Sequence, residues 1–128
     1  METKTEHQQR IAELERIAAY VRTTALGTIL NAKNGHIGGN MSSVELLTAL
    51  YFGGVFKFDP TNDKHENRDR VLIRGHEGPL RYTIFSLLDY IKSDELSGYR
   101  QFGSRLHGHE DMHETPGVDI TPSGSLGM

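Results

Sequence analysis

From about Glu6 to Asn31, apolar side chains return every third or fourth position, at Ile11, Leu14, Ile17, Ala18, Val21, Ala25 and Ile29. That spacing lines them along one stripe of a single amphipathic helix. Asn34-Gly35 supplies its stop, because both residues tolerate left-handed backbone angles. A glycine-rich turn, Gly35-His36-Ile37-Gly38-Gly39-Asn40, follows. Ser42-Ser43-Val44-Glu45 then reads as a capping box, in which a serine oxygen caps the first amides and Glu45 reaches back. The helix it opens, through Val44, Leu46, Leu47, Leu50 and Tyr51, is apolar on most sides, as a buried or interface helix is. Gly53-Gly54 ends it.

Polar turn chemistry takes over at Asp59-Pro60-Thr61-Asn62, and the stretch to Asp69 is charged. Arg70-Val71-Leu72-Ile73 has the β-branched character of a short buried strand. It breaks at Gly75-His76, and Pro79 suits the first turn of a helix carrying Ile84, Leu87, Leu88 and Ile91. A strand, a glycine turn and a helix in succession predict an α/β unit, with a ligand-binding edge where the strand ends. One more short helix reaches about Tyr99. Beyond Gln101 the chain is rich in glycine and histidine with little periodicity, which marks a functional loop or disorder.

Composition narrows the classes. A chain of 128 residues with 36% hydrophobic residues has material for one modest core. Its mean hydropathy of −0.49 is polar, and an extensive core would need a partner surface. The apolar helix at Val44–Tyr51 fits such a surface, one meant for another chain. The net charge of −3 and a pI near 6.1 give no basic stripe for nucleic acid or an anionic membrane. Cysteine is absent, which excludes disulfides and thiolate metal sites. The polar start, Met1 to Arg10, is no signal peptide, and the apolar stretch from Val44 to Phe58 is broken by Glu45, Thr48, two glycines and Lys57. A cytoplasmic chain is expected.

The candidate chemistry lies in three glycine-histidine turns, Gly35-His36, Gly75-His76 and Gly108-His109, each at the end of an element. Glycine lets the backbone approach a ligand, and imidazole offers a donor or acceptor near neutral pH. A zinc reading competes in the segment Ser104–Gly117, where His107, His109 and His113 with Glu110 or Asp111 would make a ligand set. The glycines after Lys33 follow a helix rather than a strand, so they do not form a dinucleotide fingerprint. Gly124-Ser125-Leu126-Gly127 would expose backbone amides at a helix start, where a phosphate is favoured.

Taken in order, Lys33-Asn34-Gly35-His36-Ile37-Gly38-Gly39, Leu50-Tyr51-Phe52, Phe58-Asp59-Pro60, Arg68-Asp69-Arg70-Val71, Gly75-His76, the run from Gln101 to His109, Thr115-Pro116-Gly117-Val118 and Gly124-Ser125-Leu126-Gly127 closely resemble the start of transketolases. The likeness is greatest to the N-terminal subunit of the split type. It runs from about residue 10 to the last residue and is more specific than any one motif.

This resemblance implies an α/β fold: the leading portion of a thiamine-diphosphate-binding domain, a parallel sheet flanked by helices, helix-rich in the part present. Residues 1–128 would form an incomplete domain of that kind. It implies thiamine diphosphate and a divalent metal, usually magnesium, serving transfer of a two-carbon ketol unit from a ketose phosphate to an aldose, with the cofactor carrying the hard chemistry. By position, His36 and His109 would be catalytic, near the donor's hydroxyls and reacting carbonyl. His76 would lie against the diphosphate, and Gly124 and Leu126 along the cofactor. The metal ligands, a Gly-Asp-Gly motif and its asparagine, and the glutamate that activates the cofactor are expected outside the chain. The implied partners are therefore sugar phosphates and a C-terminal transketolase half or subunit, in a homo- or hetero-oligomer. The isolated chain is expected neither to bind magnesium–thiamine diphosphate tightly nor to turn over.

Three departures bear on specificity. Ile37 stands where proline is common, a change seen in split forms; Glu77 stands where a small residue usually follows the second histidine; and the stretch Ile120–Ser123 before the Gly-Ser-Leu-Gly motif is one residue longer than usual. A carboxylate at position 77 would be repelled by the diphosphate unless it turns away or meets a cation. Two other classes remain beside this reading: a truncated, non-catalytic partner-binding or regulatory remnant, and a small histidine-based metal-binding domain.

Overall fold

A computed structural model describes residues 3–124. Helix α1 spans Lys4–Ala32. It opens with a capping box at Thr3, whose hydroxyl accepts from the Glu6 N–H at 3.2 Å while the Glu6 carboxylate accepts from the Thr3 N–H at 2.7 Å. It ends at Lys33, whose left-handed conformation (φ 52°) lets its N–H reach the carbonyls of Ile29 and Leu30. Only the second half of the stripe is buried, through Ala18, Val21, Ala25 and Ile29, and Ile11 projects into solvent.

The glycine turn is tighter than the sequence implies. Ile37–Ser42 forms a short helix, α2, and Val44–Phe52 forms α3 directly after it. The capping box expected at Ser42–Glu45 is not made. The Ser43 hydroxyl donates to Glu77 Oε1 at 2.9 Å, and Glu45 pairs with Arg22 on α1. Tertiary partners have taken both side chains from the local cap.

Helix α4, Gly78–Leu87, carries Pro79 in its first turn, where the missing N–H costs nothing. Every residue from Gly78 to Phe85 is buried, so α4 is the central rod of the molecule. Val44, Leu47 and Tyr51 of α3 and Ala18 and Val21 of α1 share its core with Leu106, Val118 and Ile120. A tight 3-10 turn at Gly75–Glu77 leads into α4, and another at Ser93–Gly98 stands where the last short helix was expected.

The expected strand at Arg70–Ile73 is extended but forms no ladder, and no sheet is present among the described residues. The expected parallel sheet is thus not shown among the described residues. Val71 meets side chains instead: its N–H donates to Asp119 Oδ2 at 3.0 Å and its carbonyl accepts from Arg81 Nη1 at 3.2 Å. Its side chain is buried, whereas Leu72 is 63% exposed.

As far as Gly124, the long tail is a loop packed onto the core. Leu106, Glu110, Val118 and Ile120 are buried. Arg105 grips Glu95 through two bonds at 2.8 and 2.9 Å, and the Met112 N–H donates to the Ile120 carbonyl at 2.7 Å. Beneath the loop, Arg81 and Glu110 meet at 2.7 Å with both side chains fully buried. Arg81 Nη2 also donates to the Gly117 carbonyl at 3.3 Å. No helix among the described residues is long and apolar enough to cross a membrane.

Candidate functional site

The three glycine-histidine turns converge. His36 caps the start of α2, His76 sits in the 3-10 turn before α4, and His109 lies on the long loop. The ring centroids of His36 and His76 are 4.4 Å apart, those of His76 and His109 4.9 Å, and those of His36 and His109 6.0 Å. His36 is exposed and the other two are half-buried, so the cluster opens to solvent on the His36 side.

Asn40 holds two of the turns together. Fully buried, its amide donates to the His36 carbonyl at 2.5 Å and to the His76 carbonyl at 2.8 Å, and its oxygen accepts from the Leu80 N–H at 2.8 Å. Both donors and the acceptor are therefore used in fixing backbone. No local sequence pattern marks this residue, because the groups it bonds at His76 and Leu80 lie far along the chain.

The glycines make room for the rings. A Cβ on Gly75 would stand 2.9 Å from His109 Cγ, and one on Gly108 would stand 2.5 Å from Arg100 Nη1. His109 is further oriented by the Ser123 carbonyl, which its Nδ1 contacts. A carbonyl only accepts, so Nδ1 carries the proton and Nε2 of the neutral ring holds the lone pair. Gly124, expected beside the cofactor, follows Ser123 directly and is exposed with open space around it. Leu126 lies outside the described residues.

The electrostatics favour neutral imidazole at His36. Shielding from water lowers its pKa from the ordinary histidine value, and the His76, His109 and Arg100 charges lower it further. Glu77 does not face the cluster. Its buried carboxylate turns to Arg74 at 2.7 Å and to Ser43. Glu110, next to His109 in sequence, is likewise committed to Arg81; burial pushes its carboxyl up to about 7 against the pull of that guanidinium. With these acids held elsewhere, the cluster and Arg100 offer donors and positive charge suited to an anion.

The zinc set read from the Ser104–Gly117 segment is not assembled. His107 and His113 are exposed, Glu110 is buried against Arg81, and Asp111 accepts from the His113 N–H at 3.0 Å to close a turn. The segment curls around its own backbone, so neighbouring histidines diverge, and His109 alone joins the cluster.

Residues 13–128 match the model of the transketolase thiamine diphosphate binding domain. The chain belongs to the transketolase family. Its transketolase relatives include the 6-deoxy-6-sulfo-D-fructose transketolase subunit of Clostridium sp. (strain MSTE9), 40% identical over 117 residues, which covers 91% of this chain and 42% of that protein. The transketolase of Buchnera aphidicola subsp. Schizaphis graminum is 38% identical over 114 residues, 88% of this chain and 17% of the other. Among solved structures, Campylobacter jejuni transketolase superposes with a TM-score of 0.79 at 31% identity, covering 89% of this chain and 18% of that one. The Leishmania mexicana enzyme gives 0.78 at 31% identity, over 86% and 17%. This chain thus spans less than half the length of these transketolases.

Proposed function

We propose that this chain supplies the histidine-bearing wall of a transketolase site, which transfers a two-carbon ketol unit from a ketose phosphate to an aldose once a C-terminal half or subunit completes it. The observation that carries the reading is the meeting of His36, His76 and His109 from three separate turns in a chain of this family.

Thiamine diphosphate, when bound, would supply the electron sink for cleavage and formation of the carbon–carbon bond. The donor set fits it: imidazoles and Arg100 suit a diphosphate, and the acids nearby are tied to arginines. His76 would hold the diphosphate. His109, with its Nε2 lone pair free, would accept a proton from a donor hydroxyl, and neutral His36 would share that exchange. Glu77, anchored away by Arg74 and Ser43, would not oppose the diphosphate. Gly124 and Leu126 would lie along the cofactor. Magnesium prefers oxygen ligands, so the imidazole cluster is not its site, and its ligands would come from elsewhere in the completed enzyme.

A chimera tests the reading. Residues 13–128 are placed in Campylobacter jejuni transketolase in exchange for the matching segment, and ketol transfer is assayed. Activity is expected, with a loss of about a hundredfold or more in H36A and H109A. A chimera that folds and binds thiamine diphosphate but transfers nothing would refute it, as would variants with unchanged kcat.

A further inference from the structure

We propose that His36, His76 and His109 form a chelating site for a borderline-soft transition-metal ion, Zn2+ in the first instance. One ligand nitrogen from each ring lies within 4.8 Å of the others. Tetrahedral zinc, with nitrogens at about 2.0–2.1 Å, asks for ligand atoms roughly 3.4 Å apart. Side-chain rotation of the exposed His36 and the half-buried His76 would supply the remaining movement of up to about 1.4 Å. Asn40 holds the carbonyls of both residues on one amide, which keeps their backbones side by side.

Two further observations suit a metal. The Ser123 carbonyl against His109 Nδ1 is the outer partner that fixes a ligating histidine's tautomer and aims its other nitrogen. No carboxylate joins the cluster, since Glu77 and Glu110 face Arg74 and Arg81. Three imidazoles favour zinc, nickel or copper over magnesium or calcium, and the open His36 side leaves a fourth position for water. The chelate depends on the imidazoles alone and not on ketol transfer.

The test titrates the whole 128-residue chain with zinc chloride against a chromogenic chelator near neutral pH, with magnesium chloride in parallel. Stoichiometric zinc binding without magnesium competition is expected. H36A, H76A and H109A should each weaken it by about tenfold or more, and H107A and H113A by less than about twofold. Imidazole nitrogen resonances of the unmutated chain provide a readout free of any folding defect: zinc should shift His36, His76 and His109. Absence of zinc binding, equal losses in H107A, or shifts confined to other histidines would overturn the site.

Discussion

The amide of Asn40 donates to the carbonyl of His76 at 2.8 Å, across 36 positions of sequence. The same side chain accepts from the Leu80 N–H, so one asparagine ties a turn, a second turn and the start of α4. Asn40→Ala would strand a buried N–H and release two carbonyls. A loss of about 2–4 kcal/mol is expected, read as a lower urea midpoint at unchanged slope. Asn40→Asp keeps the acceptor but sets a buried carboxylate oxygen against the His36 and His76 carbonyls, so it should cost at least as much as alanine.

Gly75 and Gly38 should respond oppositely to alanine. At Gly75 the added methyl meets the His109 ring at 2.9 Å, so the ring must move. At Gly38, in α2, the methyl meets nothing within 4 Å, and alanine favours the helix by up to about 1 kcal/mol. Gly75→Ala is expected to shift the His109 imidazole resonances and lower stability. Gly38→Ala should leave those resonances in place and raise the melting temperature.

The buried pair of Arg81 and Glu110 makes a third prediction. Glu110→Ala leaves a fully buried guanidinium without its carboxylate and should cost about 3–5 kcal/mol. Arg81→Met combined with Glu110→Leu should cost less than the sum of the single changes, measured as a double-mutant cycle.

That carboxyl also sets a pH signature. Burial raises it from 4.5 to about 7, so the folded chain retains a proton that the unfolded chain releases. The resulting stabilisation is complete below about 4.5 and lost as pH rises to about 7. The stability difference between the native chain and Glu110→Gln should decline across that window; a flat difference would contradict the assignment.

His36 should titrate below the ordinary histidine midpoint, through shielding first and then the charges of His76, His109 and Arg100. Replacing His76 or His109 with glutamine should move the midpoint upward, as followed by imidazole proton shifts against pH.

What was legible in the sequence was what local chemistry determines. The period of the first helix, the proline opening α4 and the three glycine-histidine turns each depend on neighbours in the chain. The Thr3–Glu6 capping box is likewise a local pattern, a threonine followed three residues later by glutamate. The Ser42–Glu45 box misled because Glu77 and Arg22, far along the chain, compete for its side chains. The strand at Val71 misled for a related reason. Its β-branched character is real, but a ladder needs a second strand, and Asp119 and Arg81 occupy its backbone groups instead. The family resemblance named the histidines, whereas the asparagine that sets two of them in register had no local signature. Its partners in the 3-10 turn and α4 lie 36 and 40 residues away.

The clasp at Asn40 also insulates the site from the stretch it encloses. Asn40 holds the carbonyls of His36 and His76 on one amide, and α3 and Val71 are held in the core between them, so the exposed turn at Thr61-Asn62 is a short surface loop set apart from the imidazoles. Doubling such a loop costs only about 0.6 kcal/mol of closure entropy. Insertions there are therefore nearly silent to the imidazoles, and the region is the natural place for this scaffold to diversify or accept a grafted peptide.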